Sequence, residues 1–596
     1  MAEIVIDYIL CYLNFSWLTG PVFDKELRVS SRRRRNYILR FAYISLLLTI
    51  LLLIWILAVD YRGSNVLQVS RMAQAGKYII TYIVWFQFCA AQIIAVVMLS
   101  NSISDEIYHK TLGMLMTTPI TSMQIVIGKL LSKLLQLLLL LAISMPLLAI
   151  VRMFGGVPWS FITSSMCLTL TTVLLVSSLS LFYSIFFRRA YIVIIMTILT
   201  LLVFFGLVPF IYVSIITLTK LYNTVPEGTL LFILIQPNPY LCFFAETMTM
   251  MSPGSMGSSF FVLYKLNCIL MLIISLLLIF LSIIMVRKVA LRQATGQLFS
   301  SRQKEAIKEE LRVSGTNSSV ISVFGPPILW KELILPLRRS VKIYRIIIAI
   351  LFLSVLFYSY WFFYKEEALD DDDIHAIYAL VFMGLGALFT IVISSVSITS
   401  EKESRSWPLL LTSTLTDSQI VIGKLYGILS RCLPVWLLLI GHVLSFTVIG
   451  FIHPVAVPLT ILLVVWFVFL ICSSGMYFSS IFKHTTTAVI MNFVFIVFIW
   501  GFIPLVFGIM GEFSGDREVS NICFFVNPFI QILVIIFSTI ITRIHLRNGN
   551  MEYSWPNGWE SADVSLFAFC ISFCIYMILA LFLLWRAKKR LRSKIF

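Results

Sequence analysis

Apolar residues in this chain come in long blocks, without the spacing of a half-buried surface helix. Twelve blocks stand out, six of them at roughly 37–60, 78–100, 130–151, 160–187, 190–213 and 260–286. The other six lie at roughly 343–364, 374–399, 425–452, 455–481, 487–510 and 563–585. Each exceeds the ~18 residues that suggest a bilayer-crossing helix. Backbone groups in lipid must bond within their own segment, so such blocks form helices, and the strict alternation of barrel strands is absent. The pattern predicts an all-α polytopic membrane protein with about 12 spans. A thirteenth apolar stretch, 528–541, is too short to span and is expected to be re-entrant or to lie at the interface. Ile4, Ile6, Ile9 and Leu13 allow the N-terminal stretch to lie in the interface as a helix.

Composition agrees with this picture. The 596 residues are 60% hydrophobic and 12% charged, half the ~25% charged share of a soluble domain. Lys and Arg set orientation. With both termini cytoplasmic, the inner segments hold 35 of 45 basic and 13 of 28 acidic residues, which leaves +22 inside and −5 outside. The arginines at 32–35, Arg188, Arg189 and the basic tail fall inside, and the acidic run 370–373 falls outside. The positive balance is therefore a topology signal first, with attraction to the inner leaflet second. Charge split among short loops argues against a nucleic-acid partner. Ten cysteines are scattered mostly within spans, where Cys570 and Cys574 are expected to be packing residues. No metal-ligand spacing occurs among the six histidines.

One string, QIVIGKL, occurs at 124–130 and again at 419–425, 295 positions apart. The match extends upstream without a gap: 103–130 aligned on 398–425 shares twelve of 28 positions, including Glu106/Glu401, Thr117/Thr412 and Thr121/Thr416. Lys25-Glu26-Leu27 precedes the first span and Lys331-Glu332-Leu333 the seventh, each followed by paired arginines. Asn238-Pro239-Tyr240 follows the fifth span and Asn527-Pro528-Phe529 the eleventh. Two halves of six spans with the same orientation follow, the parallel-repeat arrangement that encloses a path at its interface. The expected organisation is a cytoplasmic segment at 1–36, a first six-helix half at 37–286 and a cytoplasmic linker with a second elbow helix at 287–342. A second half at 343–585 and a basic tail at 586–596 complete it.

The repeated string closes a loop of about 25 residues on the inner face, far longer than a connector needs. Leu112, Leu115 and Met116 make an apolar stripe on a short helix that Thr118-Pro119 ends. Thr121 can cap the next helix, Gly128 allows close packing, and Lys129 is expected at the headgroups. A short helix across the inner face either packs on its own bundle or presents its side chains to a partner. Its duplication favours a partner with two docking points.

These residues resemble the signature of type 2 ABC transporter permeases: Glu-x4-Thr-Leu-x2-Leu-x-Thr-Thr-Pro-x-Thr-x3-Ile-x2-Gly-Lys-Leu at 106–130. The Lys-Glu-Leu clusters (Lys25, Glu26, Lys331, Glu332) resemble that family's elbow helices, and Asn-Pro-aromatic resembles the element before its sixth span. The resemblance implies a transmembrane permease, an exporter of unknown substrate, in the cell membrane, with the bacterial inner membrane expected. It also implies a separate ATP-hydrolysing subunit in two copies, which binds ATP and Mg, docked on two coupling helices. The docking residues it implies are Glu106, Thr111, Leu112, Leu115 and Thr118, with Glu401, Ser406, Trp407, Leu410 and Ser413 as counterparts. The second copy departs from the pattern. Thr414 stands for Pro119, and Pro408 for Gly113, where the family usually has an acid; Pro408 is expected to bend or shorten that helix. No Gly-x4-Gly-Lys-Ser/Thr run occurs, so the chain itself is expected to be neither an enzyme nor a nucleotide binder.

Gln87, Gln92, Gln136, Asn267 and His442 are polar at membrane depth, either lining a route or bonding between helices. Lys265 and Arg152 near span ends are expected to snorkel, and Glu227, Glu246 and 370–373 to be solvated acidic surface. An ion-coupled six-plus-six transporter is the main alternative. It lacks support here, because the loop after span two does not carry Gly-x3-Asp-Arg/Lys-x-Gly and no buried carboxylate chain suits proton coupling. A membrane enzyme would need clustered acids or histidines at one face. A non-transporting membrane partner of an ATPase remains open.

Overall fold

Two compact units divide the chain, Met1–Ser318 and Ser319–Phe596. A computed structural model describes residues 16–31, 37, 40–41, 43–45, 47–49, 51–52, 65–109, 111–152, 156–187, 189–220, 233–251, 264–294, 326–334, 343–369, 371–504, 526–539 and 562–592. Most of the first apolar block, residues 4–13, the arginines at 32–35 and 338–339, Arg188, Glu227, Asp370 and the linker 295–325 lie outside the described residues.

The first unit contains α1 (Ser16–Ser31), α2 (Asn65–Ser100), α3 (Ser104–Tyr108), α4 (Leu112–Met116) and α5 (Ser122–Arg152). Next come α6 (Trp159–Phe186), α7 (Ala190–Leu202), α8 (Val208–Thr219), α9 (Pro239–Met251) and α10 (Tyr264–Ala294), with a π-helical turn, Val203–Leu207, joining α7 to α8. The second unit opens with α11 (Pro327–Leu329) and a π-helical turn, Trp330–Ile334, then α12 (Ile343–Lys365), α13 (Asp372–Val396), α14 (Thr399–Glu403) and α15 (Trp407–Leu411). It continues with α16 (Asp417–Ile449), α17 (Ala456–Ile481), α18 (Thr485–Val497), a π-helical turn at Phe498–Phe502, α19 (Pro528–Thr539) and α20 (Ala562–Arg590). Helices α3, α4, α5 and α7 and the turn after α7 begin 295 positions before α14, α15, α16, α18 and the turn after α18. The register seen in QIVIGKL thus runs on through the fifth span.

Among the described residues, ten helices are long and apolar enough to cross a bilayer. They coincide with ten of the twelve apolar blocks. The seventh block is α12, 23 residues long. The stretch at 528–541 forms α19, twelve residues with Ile532, Ile535 and Ile536 buried; at about 1.5 Å per residue it is too short to span.

In both units the fourth span is the hub. Helix α6 packs against α2 and α10, and α17 packs correspondingly against α13 and α20. Lipid tails are as apolar as leucine, so burial of leucine does not by itself drive helix association in a membrane; small residues and interhelical bonds must do it. Helix α6 is rich in buried hydroxyl residues, among them Ser164, Ser177, Ser178, Ser180 and Ser184. Most return their hydroxyl to their own helix, but Ser180 Oγ reaches the Val96 carbonyl of α2 at 3.0 Å. In the second unit Asn492 of α18 donates to Ser395 Oγ at 3.0 Å and accepts from Ser474 Oγ at 2.8 Å, which ties α13, α17 and α18 together.

A duplicated polar device closes the fifth span. A π-helical turn breaks the i→i−4 ladder and leaves a carbonyl without its usual partner. Asn238 Nδ2 donates to the Phe205 carbonyl in the first turn at 2.8 Å, and Asn527 Nδ2 donates to the Trp500 carbonyl in the second at 2.7 Å. Their Oδ1 atoms accept the backbone N–H groups of Tyr240 and Phe529, each at 3.0 Å, at the starts of α9 and α19. One asparagine therefore satisfies a broken helix and starts the next, and proline follows where no N–H is needed.

Cations lie over tryptophans at helix ends: Arg152 over Trp159 at 4.0 Å, Lys365 over Trp361 at 5.5 Å and Lys589 over Trp585 at 4.4 Å. Such pairs suit headgroup depth. Glu246, expected in solvent, is half-buried instead. Burial raises its carboxyl above the usual carboxylate range, and Ser164 Oγ donates to its Oε2 at 3.0 Å. Cys570 and Cys574, expected to be packing residues, are exposed. Asn527→Ala is expected to lower the unfolding midpoint in detergent, with a cost on the order of 2 kcal/mol, because a cap and a buried carbonyl both lose a partner. An unchanged midpoint would show that another group satisfies the Trp500 carbonyl.

Candidate functional site

The segment between the second and third spans is built in the same way in both units. After α2, one turn of helix (α3) leads to Thr111, whose N–H donates to the Glu106 carbonyl at 2.9 Å; Ser406 donates to the Glu401 carbonyl at 3.1 Å. Helices α4 and α15 follow, each five residues long. Pro408 neither bends nor shortens α15, because it sits at the second helical position, where no helix partner for an N–H is lost. The Thr117 and Thr118 hydroxyls fold back to the Met114 and Leu115 carbonyls at 2.7 and 2.5 Å. Thr412 and Ser413 do the same to Leu409 and Leu410 at 3.0 and 2.6 Å. The paired hydroxyl residues thus cap the C-terminal carbonyls of each short helix.

The next helix starts with a reciprocal cap. The Gln124 N–H donates to Thr121 Oγ1 at 3.3 Å while the Thr121 N–H donates to Gln124 Oε1 at 3.1 Å. Thr416 and Gln419 repeat this pair at 3.4 and 3.0 Å. This is a capping box of the Thr-x-x-Gln type, which accounts for two of the repeated identities.

The ionic core of the site was not legible in the sequence. Lys129, expected at the headgroups, is buried, and its Nζ lies 2.6 Å from Glu106 Oε1. It also donates to the Ser102 carbonyl. Lys424 repeats this, 2.6 Å from Glu401 Oε1 and 3.3 Å from Glu332 Oε1. Lys331 reaches Glu401 at 3.2 Å, and Arg431 bonds Glu332. In the first unit the elbow carboxylate Glu26 meets Lys133 at 3.4 Å, while Lys25 is exposed. The glycine of the motif makes room for the elbow: a Cβ on Gly423 would come within 2.5 Å of Ile328 Cγ2. Gly20, at φ +61, turns α1 where it meets Gln124. Glu106 and Glu401 are thereby committed to fastening the second span to the third.

Exposure sorts the remaining side chains. Leu112 and Trp407 are buried at 0% and 7%, turned into their own units as anchors. Leu115 and Leu410 are half-buried. The apolar side chains that face outward are Met114, 64% exposed, and Leu409, 75% exposed, one register position apart from the expected stripe and 295 positions from each other. A one-turn helix is too short for periodicity to decide its outer face.

The membrane-depth polar residues bond within their own units. Gln92 accepts from the Tyr240 hydroxyl, Gln87 Nε2 points to Met166 sulfur at 3.6 Å, and Asn267 donates to the Gln236 carbonyl at 2.6 Å. Gln136 donates to Ser132 of its own helix at 3.3 Å. His442 Nδ1 lies 2.7 Å from the Tyr360 hydroxyl and its Nε2 lies 3.4 Å from His375 Nδ1, a buried partner that spacing did not reveal.

A family model described as ABC-2 family transporter protein matches residues 269–588. The chain belongs to this family. It is a multi-pass membrane permease component of an ABC transporter, and the family implies an ATPase partner. The match includes α14 and α15 with Glu401 and Lys424; the first copy of the segment lies before it. No curated protein and no solved structure matches the chain.

Removing one member of the buried pair leaves the other stranded. Glu106→Leu is expected to lower stability by about 3–5 kcal/mol, and Glu106→Leu with Lys129→Met to recover most of the loss. Thermal unfolding of the four-member cycle checks this; strictly additive losses would show that the pair is uncoupled.

Proposed function

We propose that this chain forms the translocation route of an ABC exporter in the cell membrane, the bacterial inner membrane being the expected one. Both termini lie in the cytoplasm. Two copies of a separate ATP-hydrolysing subunit seat on α4 and α15, and ATP and Mg are bound there. Glu106 and Glu401 hold the two helices in place from behind; Met114 and Leu409 enter the partner's cleft, with Leu115 and Leu410 at its rim. Thr111, Thr118, Ser406 and Ser413 shape the segment.

The observation that carries this reading is the duplicated module: a one-turn helix anchored by a buried side chain, capped at its end by hydroxyls, and showing one large apolar residue to solvent at the same register in each unit. An exposed apolar tip on an otherwise braced helix suits a partner's hydrophobic pocket. The lack of a phosphate-cradling glycine loop in the sequence supports a motor on another chain.

Met114→Asp with Leu409→Asp is expected to abolish co-purification of the ATPase subunit, recognised by the Walker A peptide in mass spectrometry of the tagged complex. Stability should shift by no more than ~0.5 kcal/mol, because both side chains are exposed. Full recovery of the ATPase with the double variant would overturn the contact.

A further inference from the structure

The turn that leads into the second docking helix has a backbone that favours glycine. At the end of α14 the Arg405 N–H donates to the Lys402 carbonyl at 3.2 Å, and the Ser406 N–H to the Glu401 carbonyl at 3.1 Å. These two bonds make a Schellman ending, which puts the residue after the cap in the left-handed region. Glycine usually stands there, because a Cβ crowds the following carbonyl. Here the residue is Arg405, at φ +57. Lys220 and Glu367 share that conformation at the ends of α8 and α12, so backbone alone assigns Arg405 no role. Its surroundings do.

Arg405 is exposed, and among the described residues no hydrogen bond or ion pair engages its guanidinium. The carboxylates closest to it in sequence are engaged elsewhere. Glu401 meets Lys424 at 2.6 Å and Lys331 at 3.2 Å, and Glu403 Oε1 accepts the Thr485 N–H at 2.7 Å. The turn is braced twice, since the Ser406 hydroxyl also donates to the Glu401 carbonyl, at 3.4 Å. Four residues on, Leu409 shows its side chain to solvent. A cation on a braced turn therefore precedes the apolar tip.

The first copy repeats the charge in its sequence. Between the paired positions Glu106/Glu401 and Thr111/Ser406 run Ile-Tyr-His-Lys and Lys-Glu-Ser-Arg, and only the last position is charged with one sign in both. The closing bond recurs as well, from the Thr111 N–H to the Glu106 carbonyl at 2.9 Å. Two copies of one ATPase subunit offer the same cleft twice, so a contact made by both must meet the same charge at both.

We propose that Arg405 is a partner-facing residue whose guanidinium meets a carboxylate on the rim of the ATPase subunit's cleft, and that the lysine at position 110 serves the other copy. This rim contact rests on the docking reading above and adds to it the charge of the partner's surface. Met114 and Leu409 hold the partner once it is seated, while the rim charges steer its approach. Arginine suits that task because its planar fork stays charged and matches a carboxylate.

Binding of the co-purifying ATPase subunit, purified separately, to the full chain in lipid nanodiscs tests the contact. Lys110→Gly with Arg405→Gly should slow association about threefold to tenfold at ~50 mM salt, with dissociation changed less than about twofold. The association rate should also lose most of its salt dependence. Lys110→Glu with Arg405→Glu should slow it further, and Lys110→Arg should keep the unmodified rate. An unchanged rate and salt dependence in the glycine pair would overturn the rim contact; if Met114→Asp with Leu409→Asp still abolishes binding, the docking reading stands. If that apolar pair binds fully, or no ATPase accompanies the unmodified chain, both fall.

Two further measurements read the residues directly. In the unmodified complex a carbodiimide should join the Lys110 amine to an Asp or Glu side chain of the ATPase subunit, and Arg405→Lys should add a second such cross-linked peptide. Cross-links confined to this chain's own peptides would overturn the contact. Arg405→Gly should not lower the unfolding midpoint of the chain alone, because glycine is at ease in a left-handed backbone. A lowered midpoint would show that Arg405 holds its own unit together and would overturn its outward role.

Discussion

A buried ammonium at the start of the third span governs how this protein is put together. Lys129 and Lys424 sit where water is scarce, and an unpaired charge there would be expensive enough to unfold the local structure. Each finds its carboxylate 23 residues upstream, beyond the short helix, so the chain must double back before the pair can form. That closure makes the docking segment a braced loop with a defined outer face. The elbow carboxylates extend the same logic: Glu332 joins Lys424 and Arg431, and Glu26 joins Lys133. The loop, the third span and the elbow are therefore one ionic assembly in each unit, although the partners differ in detail.

Within the spans the same constraint acts on neutral groups. Hydroxyls and amides at membrane depth have no water to turn to, so the fold gives them carbonyls and one another. The serines of α6, the Asn492 cluster and the asparagine that joins a π-helical turn to the next helix answer this requirement. They also explain why the fourth span is the hub: its small hydroxyl side chains allow neighbours close, and most of those in α6 bond a carbonyl, Ser177 Oγ being an exception.

How much of this could be read beforehand depends on the range of each interaction. Spans were legible because their signal is local and long. The capping role of Thr121 was legible because it acts within one turn. The repeat was legible because identity at a fixed offset needs no structure. By contrast, Glu106 and Lys129 are separated by a helix whose path the sequence does not state, and each alone reads as a surface residue. The usable clue was that opposite charges recurred at the inner ends of adjacent spans in both copies. His375 and His442 are 67 residues apart and carried no such duplicate. Nothing in the sequence separates Met114 and Leu409 from Leu112, Leu115 and their counterparts, because one turn of helix offers too few positions to fix a face. The π-helical turns had only a weak mark, glycines Gly206 and Gly501 at matching positions.

Those turns have a geometric outcome of their own. An α-helix advances by about 100° per residue, so a turn that holds one extra residue rotates everything beyond it by roughly that angle. Val193, Ile194 and Thr197 face the interior before the insertion in the first unit, whereas in α8 the inward residue is Ser214 alone. The fifth span therefore twists its contact stripe halfway along, clinging to neighbours at one end and swinging its other flank outward.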